Sequence, residues 1–391
     1  MQYRWVILAL AALTMALAVA APSTCLTVLF DEISDDLDLN RTEIGIIWGT
    51  VALPGILIAL VGGTIGDHFG PRRVLMLACL LSGAAGVLRS FSPGFIALIA
   101  SGLLFGLMSA IIPMNAMKAC SIWFPRNELG LANGVISMGM AAGFMLSSRF
   151  SATELSPWLG GWRYVLAFYG VLALLLSVPW FFTRELPASD DNPNAPTPSL
   201  RTLLAHVARI KRMWWLGLAL LGIGGAVQAT LGYLPLYLRD VGWAETRADS
   251  VAASFHLASM ALVVPLALWS SRLRSRRWVL IGAATMIATG IGLLSVVDGT
   301  LVWVAVVMAG MVRDGFMAVF FTTVIETDGI GPAFAGTATG FTMLFSRVGE
   351  VLAPPLGNSL SGIALSLPFV FWAGMAFAGL LALSAVKEEA V

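Results

Sequence analysis

The sequence predicts an all-α membrane protein, with twelve transmembrane helices in two pseudo-symmetric six-helix bundles. Three observations carry that expectation. Only 12% of the 391 residues are charged and 58% are hydrophobic, with mean hydropathy +0.86, whereas a soluble domain carries about 25% charged residues. Twelve apolar stretches each approach the roughly 20 residues that a helix needs to cross the hydrocarbon. Short segments of the first half also recur in the second.

The elements follow in order. "MQYRWVILALAALTMALAVA" has a positive start, an apolar centre and an Ala-x-Ala ending at Ala18 and Ala20, the outline of a cleaved leader. The apolar run continues through "APSTCLTVLF", so the segment reads instead as a retained first span at 5–29. Five more spans follow at 42–65, 73–91, 94–118, 128–151 and 162–183. One connection, "TRELPASDDNPNAPTPSLRTLLAHVARIKR" at 183–212, is long, polar and rich in Pro, Asp and Asn, as suits a flexible linker. Six further spans fall at 213–238, 247–270, 277–297, 300–325, 333–358 and 366–386. The expected organisation is an N-terminal bundle at 1–183, a cytoplasmic linker at 184–212 and a C-terminal bundle at 213–391.

Charge sets the orientation. With the N-terminus inside, about fourteen basic residues fall on inner segments: Arg4, Arg72, Arg73, Arg126, Arg184, Arg201, Arg209, Lys211, Arg212, Arg272, Arg274, Arg276, Arg277 and Lys387. About five fall on outer ones: Arg41, Arg89, Arg163, Arg239 and Arg247. That asymmetry predicts cytoplasmic termini in a multi-pass protein of the cell (cytoplasmic) membrane. The first outer loop, "DEISDDLDLNRTE", is acidic.

The halves echo each other. "GTIGDHFGPRR" (63–73) aligns with "ALWSSRLRSRR" (267–277) at an offset of about 204, and "LGLANGV" (129–135) with "AGTATGF" (335–341) at about 206, as parallel repeats would. Other classes find little support. Net charge is +1, which argues against a nucleic-acid partner. Cys25, Cys79 and Cys120 sit in apolar runs without metal-type spacing and read as small buried hydrophobes. Neither a G-x-x-x-x-G-K-[ST] phosphate loop, a G-x-S-x-G elbow nor a metal-spaced His/Cys cluster occurs in the sequence. No cofactor, no metal and no enzyme activity are expected, and the chain is expected to act as a monomer in the lipid bilayer.

"GGTIGDHFGPRR" at 62–73 resembles the loop signature G-x-x-x-D-R-x-G-R-R of the major facilitator superfamily. Gly63, Asp67, Gly70, Arg72 and Arg73 match, and His68 stands where an arginine is usual. "WFPRNELGLANG" (123–134) and "GGWRYVLAFYG" (160–170) fit the same family, and the resemblance covers essentially the whole chain. Its closest flavour is the cyanate-permease-like, small-anion branch. The resemblance implies alternating access, with the loop motif acting as a gating latch in which glycines permit a tight turn and Asp67 pairs with an arginine near a helix end. The alternative is a solvated basic turn that only sets topology. Two family features are missing. Ser101 lies near the position of a span-four arginine linked to proton transfer, and "GVISMGMAAGF" keeps Gly134, Gly139 and Gly143 but has Met140 where an exchanger's proline would stand. The departures favour a symporter or uniporter over a multidrug exchanger.

Charges inside the spans are the candidate site. Arg313 and Asp314 in "AGMVRDGFMAV", and Arg347 and Glu350 in "LFSRVGEVLAPP", all fall near mid-membrane. Each would cost at least about 2.5–3.5 kcal/mol facing lipid, so they must face the bundle interior or water. Gly336, Gly340, Met343, Arg347, Glu350 and Pro354 recur at three- and four-residue steps and share one helix face. Arg313 and Asp314, being adjacent, diverge by about 100°. The pairs Arg313–Glu350 and Arg347–Asp314 are therefore the expected partners. One reading makes these structural ion pairs. The other makes at least one arginine a binder of a small, carboxylate-like anion at the midplane, with Asp314 or Glu350 exchanging a proton for coupling. His256 is a further proton carrier or a polar packing residue. Asn115 and Lys118 share a face of span four, and Lys118 resembles a lysine of the same branch but could equally snorkel to lipid phosphates. Gln228 and Tyr233, with Thr230, Thr24 and Thr27, are candidate cavity hydrogen-bonders or simple helix bridges. A non-transporting receptor on the same scaffold, or an exporter of a neutral or cationic solute, are the alternatives to an anion symporter.

Overall fold

A computed structural model describes residues 3–58, 69–125, 128–184, 200–272 and 276–386. It contains helices and no strand among the described residues. Twelve long helical segments among the described residues follow the expected order. Spans one to six are Tyr3–Leu37, Arg41–Ile58, Pro71–Ser90, Phe95–Trp123, Leu129–Leu159 and Trp162–Phe182. Spans seven to twelve are Lys211–Asp240, Glu245–Arg272, Arg276–Leu293, Thr300–Ile325, Gly331–Ser359 and Leu367–Ser384. Among the described residues, nine of these are long and apolar enough to cross a bilayer, spans eight, nine and eleven falling outside that group.

Local chemistry sets the boundaries. Span one ends where Asp38 turns left-handed, at φ 52°. Asn40 and Glu43 then form a reciprocal capping box that starts span two, with bonds of 3.0 and 2.9 Å. Gly70 takes φ 79° immediately before Pro71, the first residue of span three, a backbone that favours glycine.

Much of the 63–73 and 267–277 repeat lies outside the described residues, but the offset of the other repeat, 129–135 and 335–341, also relates two packing contacts. A Cβ on Gly143 of span five would strike the Ala16 carbonyl of span one, and a Cβ on Gly349 of span eleven would strike the Leu221 carbonyl of span seven. These contacts occupy matching places in the two halves, about 206 residues apart. Small residues let such helices cross closely.

The two halves meet along spans two and eleven, and along five and eight. Gly45 lies against Pro354 and Pro355, and Gly49 against the Val351 backbone. Among the described residues, four hydrogen bonds cross between halves where span one turns into span two, here the first-loop end. Trp48 Nε1 donates to the Gln228 carbonyl at 2.8 Å and Arg239 Nη1 to the Val28 carbonyl at 2.6 Å. Arg41 pairs with Asp240 at 2.6 Å, and Asn358 Nδ2 donates to the Arg41 carbonyl at 2.9 Å. The halves are shut against each other at this end.

Three expectations need correction. Span one runs to Leu37, so much of the expected acidic loop is helical. Its acids find partners across the bundle: Glu32 accepts from Ser156 Oγ at 2.7 Å, and Asp36 pairs with Arg163 and accepts from Trp162 Nε1. The expected flexible linker contains a helix at Leu200–Arg209. Val207 is fully buried there, and His206 bonds the Gly329 carbonyl at 2.7 Å and stacks on Phe334. Leu203, Leu204 and Val207 supply the apolar stripe that the polar average concealed. Third, Arg89 and Arg239 are not loop residues. Arg89 is buried, with Nη1 on the Pro22 carbonyl at 3.1 Å and its guanidinium over the Phe105 ring. Arg239 forms a buried pair with Asp249 at 2.7 Å.

Candidate functional site

Spans ten and eleven carry the central charges. Arg313 Nη1 donates to Asp314 Oδ1 at 2.5 Å. The Asp314 backbone N–H donates to Ser259 Oγ of span eight at 3.2 Å. One turn earlier on span eight, His256 stacks on Phe144 of span five, ring centroids 5.0 Å apart. Its Nε2 is buried without a hydrogen-bond partner among the described residues. On span eleven, Arg347 Nη1 donates to Glu350 Oε2 at 2.6 Å, while Glu350 Oε1 accepts from Ser346 Oγ at 2.8 Å. The Arg347 stem lies across Gly55 of span two, where a Cβ would come within 3.0 Å of Arg347 Cδ.

The expected cross-pairs Arg313–Glu350 and Arg347–Asp314 are not formed; each arginine instead takes the acid of its own helix. A 100° divergence between adjacent residues does not forbid pairing when one partner has the four rotatable bonds of arginine, whose guanidinium folds back to the short aspartate. Neither pair is sealed. The side chains of Arg313 and Arg347 remain 34% and 32% exposed, and those of Asp314 and Glu350 27% and 12%. Phe144, adjoining the His256–Ser259 side of the first pair, and Gly55, under the second, both belong to the first half. The Arg347–Glu350 pair therefore lies against the first half at Gly55, while the Arg313–Asp314 pair reaches the first half through Ser259, His256 and Phe144. Lipid is too costly a neighbour for the exposed portions of either.

The other expected residues are dispersed. Tyr233 is buried in an aromatic cluster with Tyr237, Phe369 and Trp372, and its hydroxyl donates to the Leu365 carbonyl at 3.1 Å. Gln228 lends its backbone carbonyl to the Trp48 indole. Asn115 is buried, with Nδ2 on the Ile111 carbonyl at 2.9 Å and Oδ1 without a partner among the described residues. Lys118 is half-buried on the same helix. Within the loop motif, Gly63 and Asp67 lie outside the described residues, whereas Arg72 donates to the Trp180 and Phe181 carbonyls at the end of span six. Arg72 and Arg73 both make further contacts.

Sequence reasoning missed Gly55, Phe144, Ser259 and the Arg239–Asp249 pair. A glycine or phenylalanine in an apolar run carries no signal of a cross-half contact. Arg239 and Asp249 flank a span boundary, where counting loop charges treats them as solvated.

The Major Facilitator Superfamily profile matches residues 5–354. A "Probable nitrate/nitrite antiporter NarK1" of Thermus thermophilus is 25% identical over 356 residues, covering 84% of this chain and 79% of that protein. A "Probable sulfoacetate transporter SauU" of Cupriavidus necator is 23% identical over 251 residues, covering 60% of this chain and only 55% of that protein. Among solved structures, a bacterial homologue of the human lysosomal transporter Spinster, inward-facing and unoccupied, superposes with TM-score 0.76 at 16% identity. That match covers 98% of this chain and 95% of the other and speaks to the fold alone.

Proposed function

This chain belongs to the major facilitator superfamily, and from that premise we propose that it carries a small anion across the cytoplasmic membrane by proton-coupled symport. The observation that supports this most is the pair of half-satisfied guanidiniums, Arg313 and Arg347, each clasped by one acid of its own helix and partly exposed at the seam between halves. A guanidinium presents parallel donors that suit a carboxylate or a planar oxyanion. Relatives named for nitrate/nitrite and sulfoacetate favour the same class.

The mechanism follows from the geometry. An entering anion competes with Asp314 and Glu350 for the guanidiniums. A carboxylate that loses its arginine is left in a desolvated place and takes up a proton, so anion and proton load together. The two units, 1–183 and 213–391, then rock about the site with the 184–212 segment between them. His256, between Phe144 and the Arg313–Asp314 pair, is a relay position. Asn115 and Lys118 are secondary anion contacts from the first half, and the Gly70–Arg73 turn is part of the gate.

Uptake by the full chain in liposomes tests this. A labelled monocarboxylate or nitrate should accumulate saturably when the outside is acid. Accumulation of a neutral or cationic solute with no response to any anion would overturn it. Glu350→Gln should abolish pH-driven uptake while sparing anion exchange; unchanged pH-driven uptake would remove Glu350 from coupling. At the closed seam, Trp48→Phe deletes one cross-half hydrogen bond, worth about 1 kcal/mol. The first-loop-open population should rise about fivefold, read as distances between spin labels at Phe91→Cys and Val296→Cys.

A further inference from the structure

Arg239 holds two partners at once. Nη2 pairs with Asp249 Oδ1 at 2.7 Å within the second half, and Nη1 donates to the Val28 carbonyl at 2.6 Å in the first half. The Asp249 side chain is 0% exposed, and Oδ2 has no hydrogen-bond donor among the described residues. Asp249 thus fixes the guanidinium that bolts the halves together, and its second oxygen stands open.

We propose that Asp249 is a proton-binding site that controls opening of the first-loop end, with Arg239 as the bolt. A proton taken up at Oδ2 turns the carboxylate into a neutral acid. Arg239 then loses its counter-charge, and its hold on the Val28 carbonyl weakens. The neighbouring Arg41–Asp240 bridge and the Asn358–Arg41 bond are strained by the same separation. Acid therefore opens this end, and higher pH closes it.

The surroundings suit a proton entry. Asp249 is faced by Arg239 from span seven, Glu32 from span one, Arg149 from span five and Glu245 from its own helix. Arg149 is engaged with Thr153 Oγ1 at 3.1 Å and the Phe150 ring, and Glu32 with Ser156. Span ten contributes the Arg313–Asp314 pair, which lies deeper, at the level of Ser259. A cavity of about 520 Å³, lined by Ser34, Asp35, Asp38, Leu39, Asn40 and Arg41, lies at the turn between spans one and two. Its Arg41 bridges to Asp240, the residue after Arg239.

The inference rests on the symport reading for the use made of the proton, but its test does not need transport. Spin labels at Phe91→Cys and Val296→Cys, 74% and 79% exposed at the first-loop end of opposite halves, report the gap in the purified full chain. The native cysteines are buried and need not be removed. Wild-type protein should gain a long-distance population as pH falls from 8 to 5. Asp249→Asn should show that population at every pH, and Asp249→Glu should keep a pH response. Wild-type distances that ignore pH, or an Asp249→Asn protein that keeps the wild-type response, would overturn the proposal. A thermal-shift titration with nitrate and acetate runs beside it. Anion stabilisation retained in Asp249→Asn supports a gate distinct from the anion site, and stabilisation lost in this variant while the gap still tracks pH overturns the gate assignment. Failure of both anions on wild-type protein with a normal pH response sinks the anion reading and leaves the gate standing.

Discussion

Arg313→Gln should lose anion-dependent uptake by at least about thirtyfold, the effect expected when a charged hydrogen-bonding partner worth 2 kcal/mol or more is removed. The arginine has one intrahelical partner, Asp314, and a third of its side chain is still exposed. Removing it also leaves Asp314 without a counter-charge, which costs stability independently of function. The double variant Arg313→Gln/Asp314→Asn separates the two effects. If the pair is only structural, the double variant should regain both thermal stability and uptake. If Arg313 binds the substrate, it should regain stability alone. Arg313→Lys keeps the charge but not the planar fork, so it should bind anion more weakly than wild type while folding normally.

Gly49→Val should open the first-loop end. A Cβ at residue 49 would stand 2.5 Å from the Val351 carbonyl oxygen on the other half. Overpacking of this kind costs about 1–3 kcal/mol. The clash crosses the seam, so only the closed arrangement bears that cost. The open population should therefore rise by about five- to 150-fold, seen as long Phe91–Val296 label distances and as lost uptake. Gly349→Val supplies the contrast. Its Cβ would meet the Leu221 carbonyl inside the second half, so it should lower the melting temperature in every state without widening the gap. An equal widening by both variants would show that the 49–351 contact has no special role at the seam.

Much of this fold is legible in the sequence, because burying a helix in lipid demands a long apolar run, and nine of the twelve described segments meet that demand outright. The offset of about 206 residues between the segments at 129–135 and 335–341 is legible too. The structure adds Gly143 and Gly349 at the same offset, both pressed on a backbone of the first helix of their half, because close crossings tolerate only small residues. Extent is less legible. Span one continues past its apolar run to Leu37 because Glu32 and Asp36 find Ser156, Trp162 and Arg163 across the bundle, and hydropathy cannot register such partners. The linker helix at Leu200–Arg209 was hidden behind the Pro- and Asp-rich segment that precedes it.

At the site, the sequence identifies the four mid-membrane charges, because their desolvation cost makes them conspicuous. It does not identify their partners. Pairing depends on how a long side chain folds back on its own helix, as Arg313 does to Asp314, and no periodicity encodes that. Tyr233 shows the same limit. Tyr233 has the right character for a cavity, but its hydroxyl is spent on the Leu365 carbonyl among three other rings. The Arg239–Asp249 bolt carries no sequence signal beyond its residue types, since both lie near a span boundary where charges are ordinary.

Anion binding to the purified full chain tests most directly whether the second-half guanidiniums face water between the halves. Isothermal titration with nitrate and with a monocarboxylate, on wild type and on the Arg313→Gln/Asp314→Asn and Arg347→Gln/Glu350→Gln double variants, removes charge pairs without leaving an orphan. Saturable binding in wild type, competed by either anion and lost in at least one double variant that still folds, is the expected result. Undiminished anion binding in both folded double variants would contradict it and return the four charges to the role of helix-packing ion pairs.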